Sequence, residues 1–423
     1  MSTGLEGGPG DRSALARCIR IEPAEFAESY WGSRPLLSRA ADLGGDFSDL
    51  FSAAAVDELV ADRALRTPFA RMAKEGVLLA PSRYTSSGGS GAEIGDQLAP
   101  EQVLAELAAG STLVLQGLHR TWLPLAEFTR ALVADLGHPC QVNAYITPAS
   151  SRGFDPHYDV HDVFVLQIHG EKHWTIHEPV HPDPLRSQPW SQRSAQVAAR
   201  AEQDPVIDAT FRPGDALYLP RGWIHSATAL GGTSIHLTIG IPTYTRHDIV
   251  ERAVALVAQT SADADAAALR GSLPLGAGRA NADALRPSVQ ATIDALIDAL
   301  HRIGSDQDLA ERMAADLAVR FAADTRPERV RPLATLDALA DLSASTSVAL
   351  RDGLAARIEE MGEQVAVLVL GKRIMLPCEA RPALESAISG PPVRVGELPG
   401  LDTESARVVV RRLLREGVLV VRQ

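Results

Sequence analysis

Gln141–Trp174 reads QVNAYITPASSRGFDPHYDVHDVFVLQIHGEKHW, and the fold turns on how its polar residues alternate. Asn143, Tyr145 and Thr147 are two apart, as are His157, Asp159 and His161. Residues two apart share one face of a β-strand, so His157 and Asp159 are predicted to project together. Much later the chain answers with LYLPRGWIHSA, residues 217–227, in which an apolar run following the turn Pro213-Gly214-Asp215 leads to His225. That run reads as a strand returning across the molecule.

Two imidazoles and one carboxylate on a rigid sheet, with other positions left open, make the facial triad of non-heme Fe(II) sites. His157, Asp159 and His225 are the predicted ligands, and zinc or manganese on the same donors is the competing reading. His161, His169, His173, His177 and His181 crowd the same region and are read as support or structure. His161 shares the parity of the ligands, so its exchange for one of them would change the assignment.

The residues NAYITP, the Gly-Phe-x-Pro-His-x-Asp run 153–159, the strand VFVLQIHGEKHW, and LYLPRGWIHSA followed by SIHLTIG carry a family resemblance. FAESYWGSRPLL, Phe26–Leu37, adds a matching opening segment. Together they resemble the JmjC/cupin-type 2-oxoglutarate oxygenases, most closely the cupin-4 group that is similar to the ribosomal oxygenases. The resemblance covers most of the first 240 residues.

What it implies is specific. Fe(II) would sit on His157, Asp159 and His225, with 2-oxoglutarate and O2 as co-substrates. On its own residues Lys172 reads as a surface lysine at a hairpin tip after Gly170-Glu171; the resemblance implies instead an ammonium turned inward onto the far carboxylate of 2-oxoglutarate. Tyr145 and Thr147 would complete that carboxylate pocket, Asn143 would bond co-substrate or substrate, and His236 and Thr238 would line the site. The implied activity is hydroxylation of a protein side chain, histidyl or arginyl, of a ribosomal protein, coupled to conversion of 2-oxoglutarate into succinate and CO2. Lysine rather than arginine at position 172 looks more like the histidyl-hydroxylating members. An oxygenase acting on a peptide or small molecule, a metal-binding cupin without oxygenase activity, and a ligand-sensing DNA-binding regulator are the alternatives.

Composition agrees with a large soluble protein. At 423 residues and 45% hydrophobic content the chain should divide into two or three domains. A formal charge of −12 argues against an electrostatic nucleic-acid binder. Three widely spaced cysteines, Cys18, Cys140 and Cys378, suggest a reducing compartment. No apolar run approaches the ~20 residues of a membrane span and no hydrophobic signal region opens the chain, so a cytoplasmic protein is expected.

The predicted fold class is α+β, in four stretches. Residues 1–14 are Gly-rich and predicted disordered. Residues 15–245 form a double-stranded β-helix (jelly-roll, cupin, JmjC) domain. Within it 81–96 reads as a long Ser/Gly loop, and the Pro-rich segment 181–204 as an insertion outside the barrel. Residues 246–363 carry apolar residues at three- and four-residue intervals and form helices, through which the resemblance implies a homodimer. Residues 364–423 look like a winged helix. Its acidic residues Glu397, Asp402, Glu404 and Glu416 interleave with Arg407, Arg411, Arg412 and Arg415, so nucleic-acid binding is not expected.

Overall fold

Two strands of unusual length set the architecture. Asp162–His177 and Ile224–Ile241 pair antiparallel over almost their whole length, from Ile224↔His177 to Ile241↔Asp162, with a register shift at Leu230–Ile235. In the computed structural model the described residues are 13–91, 93–149, 151, 155–260, 268–304, 307–369 and 371–422. The disorder expected over 1–14 falls mainly outside them. Ala14, which is described, is buried at 5% exposure. Gly153 and Phe154 of the quoted motif also lie outside.

Each long strand serves two walls. The first half of Asp162–His177 pairs with Ala216–Leu219 and its second half with Ile207–Phe211. The second half of Ile224–Ile241 pairs with Gln141–Thr147, which continues to Thr112–Leu115 and Ala70–Lys74. The sheet thus folds over on itself as a jelly roll. Alternation then sorts the side chains. Phe164 and Leu166 join Phe26, Leu36 and the helix residues Leu125, Phe128 and Leu132 in one core. Val163, Val165, Trp174 and Ile176 face Phe211, Leu217 and Leu219 in another.

The fold-over point corrects a sequence expectation. Gly170-Glu171 does not close a hairpin; the strand runs through it, and Lys172 stands mid-strand rather than at a tip. Gly170 is left-handed (φ +63), and a Cβ there would lie 2.3 Å from the Thr233 carbonyl oxygen. Only glycine tolerates both conditions. His157 and Asp159 also differ from expectation: they lie in an irregular segment pinned to the returning strand by the single bridge His157↔His225, not in a regular strand.

The loop expected over 81–96 contains structure. A 3-10 turn at Pro81–Arg83 leads to Thr85–Ser86, which pairs with Gln97–Leu98. Pro100–Ala108 and Leu123–Leu136 are helices, the second closed by left-handed Gly137.

The chain divides into two compact units at Thr243/Tyr244. The second contains the helices Arg246–Thr260, Ala282–Gly304, Gln307–Asp324 and Pro332–Ala340. Two strands, Ser347–Leu350 and Ala356–Met361, fall inside the range 246–363 that was expected to be helical. They pair with later strands: Ser347–Leu350 lies between Val393–Arg394 and Leu419–Arg422, and Ala356–Met361 opens a three-stranded meander. β-branched runs such as QVAVLV carry that pairing. The helices Arg381–Ser389 and Thr403–Arg415 pack in the same core. Among the described residues no helix is long and apolar enough to cross a membrane.

Candidate metal centre and its cavity

His157 and His225 face each other through reciprocal backbone hydrogen bonds, His225 N–H to His157 O at 2.8 Å and His157 N–H to His225 O at 3.2 Å. Their rings lie 4.4 Å apart. Asp159 joins them because its carbonyl accepts from Gly222 N–H at 2.9 Å, holding the segment against the turn that precedes His225. Potential ligand atoms of the three residues lie within 4.8 Å of one another.

The ring tautomers follow from their partners. His157 Nδ1 is 2.7 Å from the Asp155 carbonyl and His225 Nδ1 is 3.1 Å from the Trp223 carbonyl. A carbonyl can only accept, so both Nδ1 atoms carry the hydrogen, and in the neutral rings Nε2 is the atom with the lone pair. His225 Nε2 faces Asp159 Oδ2 at 3.9 Å. Burial, and then the neighbouring His157, push the His225 imidazole down to about 4, so it is neutral and able to ligate at physiological pH. Burial acts to raise the Asp159 carboxyl, but His161, His225 and His157 outweigh it and hold the group below its ordinary range. One carboxylate and two imidazoles are the donor set a divalent first-row metal takes, and these residues fit one.

The cluster opens onto a cavity of about 240 Å³. That is smaller than the roughly 300–1,000 Å³ of drug-sized sites, and suits a small acid. Its closed end is polar. Lys172, 3% exposed, places Nζ 3.2 Å from Thr147 Oγ1 and 3.4 Å from His236 Nδ1, and lies over the Trp174 ring at 5.9 Å. Thr147 Oγ1 accepts in turn from Thr112 at 3.4 Å. Among the described residues no carboxylate pairs with Lys172 there, and burial pushes its ammonium down to about 7. His236 is driven well below its ordinary value, first by burial and then by Lys172 and His225. Buried Nε of Arg71 and Nε1 of Trp174, both cavity residues, have no hydrogen-bond partner among the described residues. Donors therefore dominate the lining, with Asp159 the carboxylate among its residues. Such a cavity selects an anion.

Lys172, Tyr145, Thr147, His236 and Thr238 all line this cavity with the three candidate ligands. Asn143 does not: its Oδ1 accepts from Gly117 N–H at 3.1 Å and ties the strand to that turn. His161 is neither in the cluster nor in the cavity lining, and its Nδ1 lies 3.2 Å from the Asp162 carbonyl. Several lining residues lay outside the sequence reading, among them Arg71 and Trp190. Arg71 comes from ARMAK, whose strand alternation offered a weak signal. Trp190 comes from the insertion expected outside the barrel, and its ring is 6.2 Å from that of His157.

Residues 121–249 match a family model described as JmjC domain. It is related to proteins that bear ribosomal-oxygenase names. "Bifunctional lysine-specific demethylase and histidyl-hydroxylase NO66" of Drosophila persimilis is 26% identical over 86% of this chain and 51% of its own length. Human "Ribosomal oxygenase 1" is 26% identical over 97% of this chain and 68% of its own. The chain spans about half or less of the length of several insect relatives it matches. Among solved structures, the Escherichia coli ribosomal oxygenase YcfD superposes with a TM-score of 0.50 at 18% identity, covering 95% of this chain and 98% of that one. The same fold was solved for YcfD with cobalt and 2-oxoglutarate.

Proposed function

We propose that the protein is an Fe(II)- and 2-oxoglutarate-dependent oxygenase that hydroxylates a histidyl or arginyl side chain of a ribosomal protein. The observation that carries this reading is the pairing of a His157–Asp159–His225 cluster with a donor-rich cavity whose closed end holds a buried, anion-seeking Lys172. A cupin that merely bound metal would gain nothing from that lysine, because an uncompensated buried ammonium costs several kcal/mol.

Each residue then has a task. His157, Asp159 and His225 hold the metal, which when bound supplies redox chemistry toward O2 and a chelation point for the 2-oxo acid. Lys172 and Thr147 bind the far carboxylate of 2-oxoglutarate and fix its orientation. Lys172 regains full charge when that anion neutralises it. His236, neutral, leaves Lys172 as the cation at the closed end and stacks on Tyr145 with centroids 5.0 Å apart. Trp174 walls water away from the ligands. Tyr145 and Thr238 stand on the side from which substrate enters. The relatives named for ribosomal and histidyl oxygenation support the substrate class. So does the acidic chain, which would steer a basic ribosomal protein toward it.

The second unit supports a partner and not the chemistry. We read its helices as a homodimerisation element, because Val289, Ile293 and Ile297 make an exposed stripe along Ala282–Gly304. The order of strands and helices from Ser347 onward supports a winged helix. The separate, unpaired thiols fit a reducing cytoplasm.

Incubation with Fe(II), 2-oxoglutarate, O2 and isolated ribosomal proteins tests the reading by mass spectrometry. The expected result is one added oxygen atom on one protein, with stoichiometric succinate. Succinate without an oxidised protein would reject the substrate class; no succinate under any condition would reject the oxygenase reading.

A further inference from the structure

Arg71 is a cation in the cavity that the proposed chemistry leaves unused. It stands on Ala70–Lys74, two strands from Tyr145, and the register places it in one row: Arg71↔Val114, Val114↔Tyr145, Tyr145↔His236. Directly opposed residues of antiparallel strands point to the same face. Arg71 therefore looks into the same lumen as Tyr145 and His236, as the cavity lining requires. Its charge and hydrogen bonding act on the Tyr145 phenol, opposing the rise that burial and Asp159 impose. Its Nε is buried with no partner among the described residues.

Depth separates Arg71 from Lys172. Lys172, Thr147, Thr112 and His236 are buried and form the closed end, whereas Arg71, Tyr145 and Trp190 are half-buried and form the accessible end. Charge separates them too. In the loaded site the ferrous ion and Lys172 are balanced by the Asp159 carboxylate and the two carboxylates of 2-oxoglutarate. Arg71 is then the cation left over, facing the entrance beside two aromatic rings. A half-buried, uncompensated guanidinium with an idle donor favours a group that brings oxygen acceptors in its plane.

We propose that Arg71 anchors the substrate, gripping an oxygen acceptor of the peptide next to the side chain that is hydroxylated. This rests on the oxygenase reading and adds the residue that holds the target beside the metal. The acceptor can be a backbone carbonyl or a neighbouring acidic side chain, and the two are separable.

The test uses the full chain loaded with Mn(II), which does not turn over, and saturating 2-oxoglutarate. Mn(II) speeds the proton relaxation of small molecules that bind near it, so millimolar ligands can be read. The probes are N-acetylglycine, which offers a carboxylate, and N-acetylglycine methylamide, which offers only carbonyls. Wild type is expected to enhance relaxation of the acetyl protons, and Arg71→Gln to weaken probe binding at least about tenfold. Affinity for 2-oxoglutarate should stay within about twofold of wild type in Arg71→Gln and collapse in Lys172→Met. Enhancement by both probes assigns a backbone carbonyl, and by N-acetylglycine alone an acidic side chain. Equal probe binding in wild type and Arg71→Gln overturns the proposal, as does no probe binding in wild type. Loss of 2-oxoglutarate from a folded Arg71→Gln also overturns it, because Arg71 would then belong to the co-substrate site. Should that variant melt before titration, Arg71→Lys, which keeps the charge but loses the two-pronged donor, is read by the same criteria. If wild type binds no 2-oxoglutarate, the oxygenase reading falls and this proposal with it.

Discussion

Lys172→Met should strengthen the empty protein and disable the loaded one. The lysine is 3% exposed, and its ammonium has Thr147 and His236 for company but no carboxylate pair. Burial lowers it from 10.5 to about 7. The unfolded chain therefore holds a proton between those values that the folded chain releases. Stability of the empty protein accordingly rises with pH through that window, and the full penalty applies below pH 7. At pH 7.5 the displacement corresponds to at most about 4 kcal/mol. Losing the Thr147 hydrogen bond returns about 1 kcal/mol of it. Methionine conserves the volume and needs no partner, so a net gain of about 3 kcal/mol is expected. Denaturant unfolding of metal-free, 2-oxoglutarate-free protein measures it, followed on Trp174 and Trp223 fluorescence of the first unit so that the second does not blur the transition. In the same variant 2-oxoglutarate should bind roughly 100-fold more weakly, the cost of stripping a charged donor from a buried carboxylate. A stability loss in Lys172→Met, or unchanged 2-oxoglutarate affinity, would refute the reasoning, since the lysine would then be structural.

Three more perturbations bear on the site. If bound 2-oxoglutarate returns the proton to Lys172, its affinity should fall as pH rises above about 7, by up to about tenfold per pH unit; calorimetry from pH 6.5 to 9 reads this, and Lys172→Arg should flatten the dependence. Asp159→Ala should lower Mn(II) affinity by at least about 100-fold, read by the electron paramagnetic signal of free Mn(II), with the fold retained. Gly170→Ala combines a left-handed backbone with a 2.3 Å approach to the Thr233 carbonyl and should cost about 2–4 kcal/mol, read by thermal unfolding.

The clustering of His157, Asp159 and His225 was legible because these residues sit in short strings with turn signals at fixed offsets. His157 and Asp159 come together for a different reason than strand alternation: a single bridge to His225 and the Gly222 hydrogen bond aim them. Lys172 illustrates the limit of local reading. Gly170-Glu171 has the chemistry of a hairpin turn, and only the close approach of Thr233 shows that the glycine serves a strand crossing instead. Arg71 and Trp190 escaped because only the weak alternation of ARMAK marks the first and nothing local marks the second; lateral register over four strands and the path of an insertion bring them to the cavity. The strands at Ser347–Leu350 and Ala356–Met361 were hidden in a region whose helical periodicity dominates, since their partners lie far along the chain. Asn143 shows the converse: strand parity aims it correctly, but Gly117 claims its amide oxygen.

The central claim is that one metal and one 2-oxoglutarate share this cavity, held by the residues of two walls. Anaerobic titration of the protein with Fe(II) and 2-oxoglutarate tests it most directly, through the weak visible absorption of the metal–2-oxo acid chelate. The account predicts a band that saturates at one equivalent of each, is absent in Asp159→Ala, and needs far more 2-oxoglutarate in Lys172→Met. Tight metal binding with no such band at any 2-oxoglutarate concentration would contradict it and leave a cupin of another kind.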